Sequence, residues 1–298
     1  MKLGFLGLGK MGKNMVLRLL ENGINVVAWN RTLETVDEVV PFGAIKAESV
    51  PDLVSKLETP RIIWLMLPQG QVIDGVLSQL SPLLTPGDLI VDGGNSYYED
   101  TLRRYNELSQ RGLEFMDVGV SGGPGGARNG ACLMIGGSKE NYLRIEPVVK
   151  AASAPQSYEH LGPIGAGHFA KMIHNGIEYG MMQAIGEGAA ILKKSPFNFN
   201  LAQVFNIYNH KSVIESRLTV WAQEALSEDE NLSRISSKIN ATGEGEWTIK
   251  TADKLGVDVP VIKSSFEVRQ RSKEEEKNFS NKMVSALRGK FGHHKVHI

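Results

Sequence analysis

The sequence predicts an α/β protein: a doubly wound parallel sheet followed by an all-α domain built around one long helix. Three observations carry that prediction. Short apolar runs alternate with stretches of helical spacing through the first half, a glycine-rich loop follows the first run, and after 161-LGPIGAG-167 the strand-like runs stop. Alternating β and α elements imply parallel strands joined by right-handed crossovers.

In chain order, the apolar runs expected to be strands are Lys2–Leu6, Asn25–Trp29, Arg61–Leu67, Asp88–Asp92, Leu113–Val118 and Ala131–Ile135. Several of them end in Gly, Asn or Asp, as strands feeding loops tend to do. Between them, Met11–Glu21, Val72–Leu84 and Tyr98–Arg111 have helical spacing. From His168 to Lys194 the chain reads as one long helix rich in Ala, Ile, Met and Gly, and further helical segments continue to Ser272. The expected domains are therefore residues 1–164, a dinucleotide-binding sheet domain, and 165–285, an all-helical domain. The basic, glycine-broken tail 286-ALRGKFGHHKVHI-298 is expected to stand outside the core.

Composition narrows the function classes. The chain has 298 residues, 33 Lys+Arg against 33 Asp+Glu, and 42% hydrophobic residues. A formal charge of zero supplies no global attraction for nucleic acid or an anionic membrane. Cys132 is the only cysteine, so there is no internal disulfide, and a reducing cytoplasm is the expected setting. The apolar start MKLGFLGLGKMG is interrupted by Lys10 and reads as strand plus loop, with no cleavage site after it. No run approaches the length of a membrane span. The HHK near the C-terminus matches no standard ligand spacing, so no metal is expected.

Gly7-Leu8-Gly9-Lys10-Met11-Gly12 is a G-x-G-x-x-G placed directly after a strand and opening a helix. The glycines suit the tight turn, the approach of a pyrophosphate to the backbone, and close helix–strand packing. The helix N-terminus adds N–H groups and the positive end of its dipole. The sheet domain is thus expected to be a Rossmann domain. An NAD site usually carries Asp or Glu at the end of the second strand, whereas this chain has Asn30-Arg31-Thr32. A guanidinium pairs with a 2′-phosphate that an acid would repel, so NADP is the expected cofactor, with NAD as a second possibility.

The opening of the long helix, 171-KMIHNGIEYG-180, sets Lys171, His174, Asn175 and Glu178 on one side at about 100° per residue. Ile173 and Ile177 lie opposite, where they are expected to face a core. A solvated helix face has the same spacing. It does not explain Gly176 and Gly180, each about 1 kcal/mol worse than Ala in a helix interior, nor the apolar flanks Phe169-Ala170 and Met181-Met182.

Together these motifs resemble the 6-phosphogluconate dehydrogenase family, decarboxylating enzymes within the β-hydroxyacid dehydrogenases. The resemblance runs nearly end to end. It includes 92-DGGNS-96, 119-GVSGGPGGAR-128, 171-KMIHNGIEYG-180, 243-GEGEWT-248, Arg269 with Ser272, and 288-RGKFGHH-294. The length is similar to the family's short form. The resemblance implies Lys171 as general base and then acid, and Glu178 as the acid that protonates carbon after CO₂ leaves. It implies that Asn95, Ser121, Gly122, Gly123, His174 and Asn175 hold the carboxylate and hydroxyls of 6-phosphogluconate, with Asn95 also near the cofactor. Tyr179 and Arg269 would bind the phosphate. Arg288 and His294 would complete that pocket from a partner subunit of a homo-oligomer. Three positions depart from the longer enzymes: Thr242 replaces a phosphate-binding lysine, Pro68 stands near a cofactor-cleft lysine, and Pro124-Gly125 replaces two glutamates.

The residues suit that chemistry. Oxidising a secondary alcohol needs a base and a hydride acceptor, and a lysine serves as base once burial or a nearby cation lowers its pKa. The β-keto acid so formed loses CO₂ when its enolate oxygen is stabilised, and a second acid must then protonate carbon. Lys171 and Glu178 are about 10 Å apart along a helix axis, close enough for two long side chains to converge on one substrate. The rivals are another β-hydroxyacid dehydrogenase, of 3-hydroxyisobutyrate or tartronate semialdehyde type, and a non-catalytic dinucleotide-binding sensor. The first has no need of a phosphate pocket, and the second has no use for the Lys171–Glu178 row.

Overall fold

A computed structural model describes residues 1–240, 243–274, 278–292 and 296. They form two compact units, Met1–Lys171 and Met172–Ile298, dividing just after Lys171.

The first unit opens with β1 (Lys2–Leu6), α1 (Lys10–Glu21), β2 (Asn25–Trp29), a short α2 (Glu34–Asp37), β3 (Ile45–Lys46) and α3 (Val50–Ser55). It continues through β4 (Ile62–Leu65), α4 (Gln71–Leu80), β5 (Leu89–Asp92), α5 (Tyr98–Ser109), β6 (Glu114–Ser121) and α6 (Gly123–Asn129). It ends with β7 (Ala131–Gly136), α7 (Lys139–Ala152), β8 (Ser153–Gly162) and the first turn of α8 (Ala166–Lys194). The strands make one eight-stranded sheet in the order β3-β2-β1-β4-β5-β6-β7-β8. Strand β1 therefore lies inside the sheet, parallel to β2 and β4. Its apolar residues are buried on both faces, in two cores: Leu3 and Phe5 in one, Leu6 in the other. Burial on both faces is what a parallel strand requires.

The fold class predicted from sequence is the fold observed, with local differences. The sheet is not wholly parallel, because β7 runs antiparallel to β6. Only residues 122–130 join those strands, too few for the dozen or more that a parallel crossover needs. Strands β3 and β8 were not expected. The former has two residues, and the latter, SAPQSYEHLG, is a half-exposed edge strand without apolar alternation. Helices α6 and α7 also went unread. The first is a glycine-rich seven-residue turn of helix, and the second carries Pro147 in its interior.

The second unit holds the rest of α8, then α9 (Leu201–Tyr208), α10 (Arg217–Glu228), α11 (Glu244–Leu255), α12 (Pro260–Arg271) and α13 (Phe279–Gly292). Its core joins Met182 and Ala189 of α8 to Phe205, Leu218, Ala222, Leu226, Met283, Val284 and Leu287. The boundary of the expected tail shifts here. Residues 286–292 belong to α13, because Ala286 and Leu287 extend the buried face that Met283 and Val284 begin. Val296 is buried as well, and its carbonyl accepts the Ser236 N–H at 2.7 Å.

On α8 the buried stripe is Met172, Gly176, Tyr179, Met182, Gly186 and Ala189. Ile177, expected to face a core, is instead 53% exposed, and with Met181 and Ile191 it forms an exposed apolar line down the helix. Gly176 is needed for close approach. A Cβ there would lie 2.7 Å from the Thr248 methyl of α11, whose hydroxyl donates to the Met172 and Glu244 carbonyls. Among the described residues, no helix is long and apolar enough to cross a membrane.

Candidate active site

In the first unit the glycine loop takes the form that a dinucleotide requires. Gly7 has φ +100°, and its N–H bonds the Trp29 carbonyl at 3.0 Å, tying the turn to β2. A Cβ on Gly12 would overlap the Gly7 carbonyl and stand 3.2 Å from Phe5. Gly9, the N-cap of α1, is exposed, brings no side-chain cap, and has open space where a Cβ would point. The first turn of α1 carries no acidic residue. Its N–H groups thus face an open position suited to a phosphate, so the loop fits a dinucleotide. Leu8 is buried, and Lys10 and Met11 begin the helix.

Asn30 has a role that sequence reading did not separate from its neighbours'. Its Oδ1 accepts the Leu8 N–H at 3.0 Å and its Nδ2 donates to the Thr32 carbonyl at 3.1 Å. It therefore braces the glycine loop against the end of β2, while Arg31 and Thr32 stand exposed beside it.

Asn95 sits on a loop held from below. Asp92, fully buried, accepts the Gly94 N–H at 3.0 Å and the Ser96 hydroxyl at 2.7 Å. Arg104, 1% exposed, reaches Ser96 at 3.2 Å, Asp74 at 2.8 Å and the Gly70 carbonyl at 3.3 Å. Sequence reading missed this arginine. Its signal was a strand-terminal Asp followed by a helix with one Arg on its buried face. Ser121, Gly122 and Gly123 lie half-buried where β6 turns into α6, and both glycines have positive φ. Pro124 occupies the first turn of α6, where its missing N–H costs nothing. Lys171, half-buried, packs its stem against Gly119.

In the second unit the polar row of α8 forms a cluster. His174 Nδ1 is 3.0 Å from Asn175 Oδ1 and 3.8 Å from Glu178 Oε2. Tyr179 is 5% exposed, and the Arg269 guanidinium stacks 3.2 Å from its ring centre. Arg269 itself is 2% exposed, and its Nη2 has no hydrogen-bond partner among the described residues. Burial, with the like charge of Arg288 adding to it against Tyr179 and Glu178, pushes its pKa down to about 10. Arg288 is also buried, and its pKa falls for the same first reason, opposed by Tyr179, Glu244 and Glu178. A desolvated guanidinium with an open N–H is a strong acceptor-seeking group.

The family resemblance led to the expectation of Arg288 from a partner subunit. In this structure α13 places Arg288 inside its own unit, because the arginine continues that helix's buried face. His294 and Thr242 lie outside the described residues. Glu244, buried and close enough to Arg288 to oppose its pKa shift, was not singled out from sequence. No group of three metal-ligating side chains occurs among the described residues.

Residues 2–162 match the NAD binding domain of 6-phosphogluconate dehydrogenase, and residues 167–297 match the C-terminal domain of 6-phosphogluconate dehydrogenase. The chain is 39% identical to an NAD(+)-dependent, decarboxylating 6-phosphogluconate dehydrogenase of Haloferax volcanii, over 99% of this chain and 98% of that one. It is 38% identical to the NADP(+)-dependent, decarboxylating enzyme of Bacillus subtilis, covering 90% of this chain but only 58% of that longer one. Among solved structures, the 6-phosphogluconate dehydrogenase of Plasmodium falciparum, studied with NADP+ and with 6-phosphogluconate, superposes with a TM-score of 0.84. The match has 28% identity and covers 96% of this chain and 70% of that one.

Two substitutions separate the roles at the end of β2. Asn30→Ala should weaken binding of NADP and NAD by similar factors, since it loosens the loop both use. Arg31→Ala should weaken NADP binding alone, by about tenfold or more, the loss of one charge-assisted phosphate contact. Fluorescence titration of each variant with each nucleotide gives the four dissociation constants.

Proposed function

We infer, from the premise that the chain belongs to the 6-phosphogluconate dehydrogenase family, that it catalyses oxidative decarboxylation of 6-phospho-D-gluconate. The products are D-ribulose 5-phosphate, CO₂ and the reduced dinucleotide, formed from NADP or NAD. Arg269 is the observation that carries the choice of substrate. A buried guanidinium with an open N–H, close to a second buried arginine, suits a phosphate dianion. A non-phosphorylated hydroxy acid whose one carboxylate is held at Ser121, Gly122 and Gly123 leaves no second anion for that pair.

The glycine loop, Asn30, Arg31, Thr32 and Asn95 would hold the dinucleotide, which when bound would supply the acceptor for the C3 hydride. Lys171, in its neutral form, takes the C3 hydroxyl proton as that hydride leaves. As CO₂ departs from the resulting β-keto acid, the Lys171 ammonium stabilises the developing enolate oxygen. Glu178, seven residues along α8, delivers the proton to C1. Ser121, Gly122, Gly123, His174 and Asn175 orient the carboxylate and hydroxyls. Tyr179, Arg269 and Arg288 take the phosphate, with His294 beside them.

The enzyme acts as a homodimer. Ile177, Met181 and Ile191, all more than 40% exposed, fall on one side of α8. An exposed apolar line of that length on a helix invites a matching surface, and a second copy supplies one by two-fold symmetry. With a phosphorylated sugar acid as substrate, the enzyme belongs to the cytoplasm, in the pentose phosphate pathway or gluconate utilisation.

Reduced nucleotide should appear with 6-phosphogluconate in equimolar yield with trapped CO₂. Lys171→Met should bind NADP as the wild type does and lose turnover by at least about 10³-fold. Reduction without CO₂, or a Lys171→Met enzyme at the wild-type rate, contradicts the reading. Light scattering should give a dimer for the wild type and a monomer for Ile191→Asp. A wild-type monomer at micromolar concentration would remove the interface.

A further inference from the structure

We propose that Asp117, acting with Gly119 on the same strand, is the positioning residue for Lys171. The inference rests on the reading of Lys171 as the base, and every group in it belongs to the first unit.

Asp117 lies in the middle of β6 and is fully buried. Its Oδ1 accepts the Gly165 N–H and its Oδ2 accepts the His168 N–H, each at 2.7 Å. These two donors bracket the first turn of α8, which starts at Ala166. One bond to a helix end leaves the helix free to rotate about it. Two bonds from one rigid carboxylate, to N–H groups three residues apart, fix both position and rotation. Lys171 stands three residues beyond His168, close to one turn along the same face, so its Cα inherits that placement. A third tether comes from the buried His168 ring, whose Nδ1 lies 2.7 Å from the Thr101 hydroxyl on α5.

The same strand makes room for the lysine. Gly119 is two residues past Asp117 and so lies on the same face of β6. A Cβ there would overlap the Lys171 Cβ, stand 3.1 Å from its Cγ and lie 2.9 Å from the Gly167 carbonyl. Across the ladder, Asp117 pairs with Gly136 of β7, where a Cβ would come within 2.7 Å of the Gly167 N–H. The first turn of α8 thus rests on bare backbone of two strands, drawn down by one carboxylate. The lysine stem occupies the gap left by a missing side chain.

The choice of residue supports a demand for placement. Burial pushes the Asp117 carboxyl above the usual carboxylate range, with the charge of Asp92 on the neighbouring strand adding to it and the His168 and Gly165 contacts opposing. A Ser or Asn cap would satisfy one helix N–H without burying a charge. Only a carboxylate holds both. Displacing a catalytic group by about 1 Å costs about 10²-fold in rate, so the rotation of this turn is a term in kcat.

The test uses 6-phosphogluconate deuterated at C3, the carbon that gives up hydride. Asp117→Asn keeps the shape and loses one acceptor, and Gly119→Ala keeps both acceptors of Asp117 and crowds the lysine and the turn that carries it. For both, kcat should fall by about tenfold or more with the dissociation constant for NADP unchanged. The primary deuterium isotope effect on kcat should rise, because the step that needs the placed base becomes slower relative to the others. A merely unfolded fraction lowers kcat without moving that ratio, so a fall in rate at constant isotope effect overturns the inference. Wild-type kcat in Asp117→Asn also overturns it. If Asp117→Asn does not fold, Gly119→Ala decides by the same two readings. A Lys171→Met enzyme with full activity would instead defeat the reading of the base, a different outcome from an inert Asp117 beside an essential Lys171.

Discussion

The seating of α8 on β6 and β7 is the constraint on which the rest of the site depends. A buried carboxylate holds the first turn of this helix, and glycines on both strands let it approach to backbone distance. From that anchored turn the helix carries, in order, the proposed base, the groups proposed to orient the substrate, the proposed acid and the aromatic ring under Arg269. Helical geometry then does the remaining work. A fixed rise and rotation per residue turn one secure attachment into a ruler, with Lys171 and Glu178 as two marks on it. The apolar residues of the same helix are divided between a buried stripe and an exposed line, so the helix packs on one side and offers a surface on the other.

In the second unit, the residues proposed to take the phosphate include two buried arginines, Arg269 and Arg288. Burying an arginine away from water is costly unless something pairs with it. Here Arg269 is stacked on Tyr179, and the carboxylate of Glu178 opposes the shift, yet burial still prevails and lowers the pKa. A dianion would convert that unfavourable state into a charge-assisted pair. A guanidinium already desolvated and stacked would need little reorganisation to bind the proposed phosphate.

Much of this was legible in the sequence, and the physical reasons for the rest are specific. Strands buried on both faces, such as 25-NVVAW-29, are short apolar runs that cannot be mistaken, and β1 and β2 fall where the runs do. The edge strand β8 has no such signature because one side of it meets solvent. The antiparallel turn of β7 depends on the length of the connection rather than on any residue in it. Within the site, the glycine loop and the row on α8 could be found by period and spacing. The groups that hold the Asn95 loop and the first turn of α8 could not. Asp92, Arg104 and Asp117 look in sequence like ordinary charged residues of strand ends and helices, and only tertiary burial reveals that their charges are spent on loops and helix ends. Arg288 shows the opposite error. Glycines and basic residues suggested a loose tail, while two apolar neighbours were enough to draw it into the core.

A helix proposed to carry the base at one position and the acid seven residues later has a consequence for where the product's new proton comes from. The most direct measurement is the reaction run in D₂O with wild-type and Glu178→Gln enzymes, with deuterium at C1 of the product read by NMR. The two-ended site predicts one deuterium at a single stereochemical position from the wild type. From Glu178→Gln it predicts product slowed by about 10²-fold or more, with that stereospecificity lost. A Glu178→Gln enzyme that matches the wild type in both rate and stereochemistry would contradict it.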